Sequence, residues 1–303
     1  MPTRILFARG SRGQLVQQVQ QKMQQLKLPL DSADGIFGGN TETALKNYQK
    51  FNGMDVTGRV DFDLWPRLTN APVPSLDDRS LQLTAAIEGH GYTVAAGNFD
   101  GAGLTWGIVG FTVKYGSVQR VLDIVASEHP GLIRSAFVDL TRDLERMRNM
   151  PVDKQIAFGD SLSIPGAKHS LVDPWRVAFE RLGSFPEVQE IQRRVAFELY
   201  MKPAKKTARS LGFTTELGLA LCFDVHVQNG GIKSAAMEAV RRANARTEAD
   251  LRLAVANAVA DQALDAYKED VRKRKVAIAT GSGIVHGLSL KLTDWGIDDV
   301  PMA

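Results

Sequence analysis

The chain has 303 residues, 44% hydrophobic and 23% charged, a balance that fits a soluble globular protein long enough for two domains. Its one cysteine, Cys222, excludes an internal disulfide and a cysteine-built zinc site, and its apolar surroundings predict a buried thiol. The net charge of +3 is uneven, since residues 1–72 carry nine Lys and Arg against six Asp and Glu while the remainder carries 28 of each.

A basic module beside a neutral one suggests an anionic target. Nucleic acid is not expected, because residues 1–72 show neither a dense Lys/Arg stripe nor an aromatic stacking series. The opening MPTRILFARG lacks the apolar core and cleavage site of a secretion signal. No apolar run reaches the roughly 18 residues of a bilayer span. The expectation is a protein made in the cytoplasm, without membrane insertion, that something else must deliver to any target outside.

In chain order, the first helix is predicted over residues 13–28, with Leu15, Val19, Met23 and Leu26 on one face. Pro29 stops it. The segment DSADGIFGGN is a glycine- and aspartate-rich loop. A second helix over 41–51 has Asn40 or Thr41 as N-cap and an apolar face of Ala44, Leu45, Tyr48 and Phe51. A third short helix holds Phe62, Leu64, Trp65 and Leu68. These make a three-helix domain over residues 1–70, followed by a proline-containing linker at 71–76. Ser75 and Asp78 form a capping-box pattern for the next helix. The larger domain, 77–303, is mainly helical with one strand-like interruption around 92–113. Its helices include one ending at Glu88, one or two within 117–150, one at 186–202, an all-round apolar one at 214–228, and a long one at 248–275 ending in RKRK, read as a solvated helix end.

The first module resembles the small peptidoglycan-binding domain of cell-wall hydrolases. The matching strings are LVQQVQQKMQQL, DGIFGGNTETALKNYQKFNGM and VTGRVDFDLWPRL. The resemblance implies a groove near the Asp34–Gly39 loop that holds glycan or stem peptide, with Asp34, Phe37 and Tyr48 as candidate contacts. Phe37, Tyr48, Phe51 and Trp65 also read as core. The string VDFDLW departs from the family's usual turn, which leaves the start of the third helix open.

Glu88 and Asp100 are joined by a glycine-rich run. Two carboxyls across a cleft are what glycoside hydrolysis needs, one to protonate the leaving oxygen and one opposite it. An acid at a helix end beside Leu83, Ala85, Ala86 and Ile87 suits a general acid. Asp100, among amides and glycines in NFDGAG, suits an ionised base, or it could merely cap its own turn. The run also resembles the catalytic hairpin of the lysozyme-like superfamily, most closely glycoside hydrolase family 46, the chitosanases, and their phage-encoded relatives. The shared positions are Asp100, Gly101, Gly103, Thr105, Gly107, Ile108, Gly110 and Phe111, supported by LALCFDVHVQNGG and VRKRKVAIATGSGIVHG further on.

The resemblance implies a lysozyme-like α+β domain, mainly α with a short β-hairpin. In it Glu88 is the general acid, Asp100 the base and Thr105 the residue that orients the attacking water. Tyr92 and Trp106 are candidates for stacking on sugars, or for packing. His286 is a candidate cleft residue. Asp224 and His226 read as buried and structural. His90 and His129 lack metal-ligand spacing, so neither metal nor cofactor is called for. The substrate expected is peptidoglycan, cut in the periplasm by a monomeric endolysin of muramidase type that inverts. Chitosan, or a role as an antibacterial effector, is the alternative.

Overall fold

The computed structural model describes residues 4–89 and 91–302. It is mainly helical, with short antiparallel strands. The N-terminal part runs β1 (Ile5–Phe7), α1 (Gln14–Gln25), α2 (Gly39–Phe51), β2 (Val60–Asp61), α3 (Leu64–Thr69) and then α4 (Leu76–Glu88). A three-stranded sheet follows, β3 (Ala95–Ala96), β4 (Thr105–Trp106) and β5 (Phe111–Thr112), in that order across the sheet. Next come α5 (Ser117–Glu128), α6 (Pro130–Phe137), α7 (Thr141–Arg148), α8 (Val152–Ser161), the hairpin β6 (Ser163–Ile164) with β7 (Ala167–Leu171), α9 (Asp173–Ser184) and α10 (Pro186–Ala196). A π-helical turn, Phe197–Met201, leads into α11 (Lys202–Leu211), α12 (Glu216–Asn229), α13 (Ser234–Arg242), α14 (Glu248–Asp261), α15 (Lys268–Thr280) and the hairpin β8 (Ser282–Val285) with β9 (Leu288–Lys291). Residues 1–87 with 200–303 form one compact unit and residues 88–199 form another. No helix among the described residues is long and apolar enough to cross a membrane.

In the first unit the N-terminal helices close over Val16, Val19, Met23, Phe37, Leu45 and Trp65, all buried. Phe7 of β1 packs on Trp65 at 5.7 Å between ring centroids. Phe51 departs from its expected place in this core, since it is 90% exposed. The buried stripe of α2 is Thr41, Ala44, Leu45 and Gln49. The Gln49 amide accepts from Gly58 N (2.8 Å) and donates to Arg59 O (3.2 Å), so it satisfies the turn that follows the helix. Turning Gln49 inward carries Phe51, two residues on, to the outside.

The proline stretch is held at both ends. Trp65 Nε1 donates to Pro72 O at 2.9 Å, and Ser75 and Asp78 form the expected reciprocal capping box. The N-terminal segment also bonds to α12, at a carboxylate that it shares with α4, and to the end of the chain. Arg4 donates to both Glu216 oxygens (3.2 and 2.5 Å), and Arg79 of α4 donates to Glu216 Oε1 at 3.0 Å. Both guanidiniums donate to Gly296 O, Ser11 Oγ donates to Asp294 O, and Trp295 Nε1 donates to Arg12 O.

Helix α12 is buried on all sides from Glu216 to Val225, as its sequence suggests. Its Asp224 has no exposed side-chain surface. Arg274 Nη2 lies 2.6 Å and Lys275 Nζ 2.5 Å from its carboxylate, and Thr84 Oγ1 of α4 donates to it at 3.3 Å. The basic run at 272–275 is therefore not a solvated helix end. The helix continues to Thr280, and only Lys273 of the four is exposed. The expected helix over 248–275 is two helices, α14 and α15, separated at a 3-10 turn, Asp265–Tyr267; no glycine or proline marks that break. Burial alone pushes the Asp224 carboxyl up, but Arg274 and Lys275 outweigh it and hold it down at about 2. The Cys222 thiol, two residues earlier, is buried and pushed up to about 12.

Asp224→Asn leaves two buried cations short of their counter-charge, and we expect it to lower unfolding free energy by roughly 3–5 kcal/mol at pH 7, read by urea titration. The folded carboxyl titrates below its unfolded value of about 3.9, so its contribution is complete above that pH and disappears as pH falls toward about 2. The variant should lack that part of the acid slope.

Candidate active site

The second unit begins at Glu88, the last residue of α4, whose side chain is half-buried. Gly89 follows at φ +68°, the left-handed conformation that commonly ends helices. From here the chain enters the sheet. Ala96 pairs with Thr105 and Thr105 with Thr112; Ala95 pairs with Trp106 and Trp106 with Phe111. Trp106 is fully buried, 5.3 Å from Phe179 in a cluster that extends to Phe137 and Trp175. Neighbours along a strand face opposite ways. Thr105, 5% exposed, therefore lies on the other face of the sheet from this aromatic core.

One buried amide spans the run between the two acids and the strands after it. Gln192 of α10 donates to Tyr92 O and accepts from Ile108 N, each at 3.0 Å. It approaches so closely that a Cβ at Gly107, where φ is +89°, would sit 2.3 Å from its oxygen. The loop carrying Asp100 is fixed by a second amide. Asn98 Oδ1 accepts from Gly103 N (2.8 Å), Asn98 Nδ2 donates to Asp160 Oδ1 (2.9 Å), and Asn98 N donates to Ser163 Oγ (2.8 Å). Lys168 lies 2.7 Å from Asp160, and its hydrogen bond, then that of Asn98, holds the Asp160 carboxyl below its usual value. On the inner side, α8 crosses so near that a Cβ at Gly159 would meet Gly103 C and Leu104 N at 2.9 Å.

Asp100 is exposed at the tip of this loop, and its Oδ1 accepts from Ala102 N at 3.0 Å. The turn-capping reading of Asp100 thus describes one of its oxygens. A half-buried Glu, an exposed Asp in a hydrogen-bonded turn and a Thr on β4 are groups of the kind that acid–base cleavage of an acetal uses.

Comparison with known proteins bears on this arrangement. Glycosyl hydrolase family 46 matches residues 85–280, and a putative peptidoglycan binding domain matches residues 12–68. The chain belongs to glycosyl hydrolase family 46. A comparison with curated proteins gave no match. Among solved structures, the native chitosanase from Bacillus subtilis MY002 is similar at 20% identity and TM-score 0.50, over 69% of this chain and 87% of that one. A point mutant of the same enzyme complexed with 6 GlcN is similar at 19% identity and TM-score 0.51, over 76% and 99%. At such identity the likeness is one of fold. The protein is thus a glycoside hydrolase that carries a peptidoglycan-binding domain.

Of the candidate contacts in this family 46 chain, Tyr92, Trp106 and Phe37 take the packing alternative. Trp106 offers no face to a sugar because both sides of its ring are packed, and Tyr92 is only 7% exposed, with α9 closing over its backbone. Phe37 is core at 1% exposure, whereas Tyr48 is half-buried. Asp34 lies at a depression of about 240 Å³ lined also by Gln20, Ser32, Gly38 and Thr41. Its Oδ1 accepts from Ile36 N (2.9 Å) and Gln20 Nε2 (3.0 Å), which lowers its pKa. His286 is in the first unit, at φ +50° on the β8–β9 turn, and pairs with Asp270 at 2.9 Å. His90 lies outside the described residues. Among the described residues no group of three or more His, Cys, Asp or Glu could hold a metal ion. Gln192 and Asn98 escaped the sequence reading. Asn98 alone left a signal, standing two residues before Asp100 in a glycine-rich turn.

Replacing Asn98 with Ala is expected to lower kcat roughly 10- to 100-fold by letting Asp100 drift, with unfolding free energy changed by no more than about 2 kcal/mol. Steady-state kinetics on soluble peptidoglycan fragments, with urea unfolding in parallel, separates the two effects.

Proposed function

We propose that this protein is an endolysin of muramidase type that binds peptidoglycan and cuts its β-1,4 glycosidic bonds. The observation that carries the reading is one chain holding a family 46 hydrolase and a peptidoglycan-binding domain. In this mechanism Glu88 protonates the leaving oxygen. Asp100 takes a proton from a water held by Thr105, and the water attacks the anomeric carbon from the opposite face, inverting it. The enzyme works as a monomer, is made in the cytoplasm of a phage-infected cell and acts on the periplasmic wall. The depression beside Asp34 holds glycan or stem peptide while the hydrolase works.

The solved chitosanases that share the fold favour a second reading, cleavage of chitosan. Against it stands charge. Residues 88–199 hold 12 Lys and Arg against 14 Asp and Glu, close to neutral where a polycationic substrate calls for an acidic surface.

Incubation with purified peptidoglycan and, separately, with chitosan decides between them by mass spectrometry of the products. New muramic reducing ends support the proposal, and products from chitosan alone overturn it. Glu88→Gln and Asp100→Asn should each lose about 10²–10⁴-fold in turnover while still pelleting with insoluble wall. Proton NMR of the first-formed anomer tests inversion.

A further inference from the structure

Of the four aromatic residues between positions 88 and 112, Tyr92, Trp106 and Phe111 are buried and Phe99 is 57% exposed. Exposed apolar side chains are ordinary taken singly, and Phe51 and Tyr115 are more exposed still. What separates Phe99 is its mounting. Its own N–H donates to Gly97 O at 3.0 Å, the Asn98 amide is bonded on one side of it, and the Asp100 turn is closed on the other. Gly97 rests on the β6–β7 hairpin so tightly that a Cβ there would lie 2.4 Å from Lys168 O and 2.5 Å from Ser163 Oγ. Gly97 N also donates to His169 O at 3.2 Å. A loop built in this way cannot fold Phe99 inward without breaking the bonds that place Asp100.

We infer that Phe99 is a substrate-binding residue, a platform on which a pyranose ring of the glycan stacks in the subsite next to Asp100. The inference rests on the reading of Glu88 and Asp100 as the acid pair. One face of an amino-sugar ring is a patch of C–H bonds, and the negative face of a phenyl ring attracts such hydrogens while shedding water. A phenyl ring carries no hydrogen-bonding group, so the contact selects the ring's apolar face and leaves recognition of the sugar's hydroxyls and amide to other groups. Phe99 is the residue before Asp100, so a sugar stacked on its ring is held within one residue of the loop position that carries the carboxylate.

The test uses the full chain. Phe99→Ala should raise KM on peptide-free glycan strands about tenfold, the size of a 1.4 kcal/mol loss, with kcat within about twofold; Phe99→Trp should keep the wild-type KM. All four native tryptophans are at most 6% exposed, so Phe99→Trp in a Glu88→Gln background adds the one solvent-facing indole. Its emission should shift to the blue, and its acrylamide quenching should fall, as the same glycan strands are added. An unchanged KM in Phe99→Ala together with unshifted emission overturns the inference. So does a KM defect confined to strands that keep their stem peptides, which would assign the contact to peptide. Asp100→Asn, assayed alongside, keeps the two readings apart. If it is inactive while Phe99 proves silent, only the platform fails. If it retains full turnover the acid pair fails, and the emission still decides whether glycan covers position 99.

Discussion

Asp224 is a carboxylate shut away from water, facing two cations that are equally shut away. Removing such charges from solvent costs several kcal/mol apiece, and only close, hydrogen-bonded geometry offsets the cost. The cluster therefore tolerates little displacement of the helices that supply it. Those are α12 with Asp224, α15 with Arg274 and Lys275, and α4 with Thr84. Thr84 stands one turn before Glu88, on the same face of the same helix.

The second unit achieves comparable order by other means. Its helices pack on a buried aromatic core, and the loops around its short strands are tied by two side-chain amides. Gln192 bridges the backbone at Tyr92 and Ile108, and Asn98 bridges Gly103 and Asp160. An amide offers a donor and an acceptor a short distance apart, so one residue can satisfy two strands of loop at once. The glycines around them let neighbouring backbone come close enough for such bonds. A glycine-rich run in this protein marks tight packing, and its tip is held more firmly than its composition suggests.

Much of the helical order was legible in the sequence because it follows local rules. The Ser75 capping box and the apolar α12 rest on periodicity and end signals that need no partner to read; of the stripe expected for α1, Val19 and Met23 are buried, but Leu26 is 46% exposed and Val16 and Gln20 turn inward instead. The run from Glu88 to Phe111 was legible as a motif. What escaped depended on who faces whom. Trp106 carries the same side chain whether it meets a sugar or Phe179, and only the packing of α9 decides. Phe51 obeyed the helical stripe until Gln49 took the inward position to serve a turn nine residues ahead. Arg274 and Lys275 looked like solvated charge because their partner lies fifty residues earlier in the chain.

The contacts of Arg4, Ser11 and Arg12 bear on how such a protein can change over time. In sequence the wall-binding domain looks interchangeable, a cassette joined by a few prolines. In three dimensions Arg4 shares Glu216 with Arg79, and Trp295 bonds to Arg12. Exchange of the cassette at the proline stretch would strip Glu216 of one of its two cations and leave an indole without its acceptor. A foreign binding domain would have to bring an arginine and a carbonyl to those same places. A junction that carries the C-terminal segment along with the N-terminal one would keep those contacts.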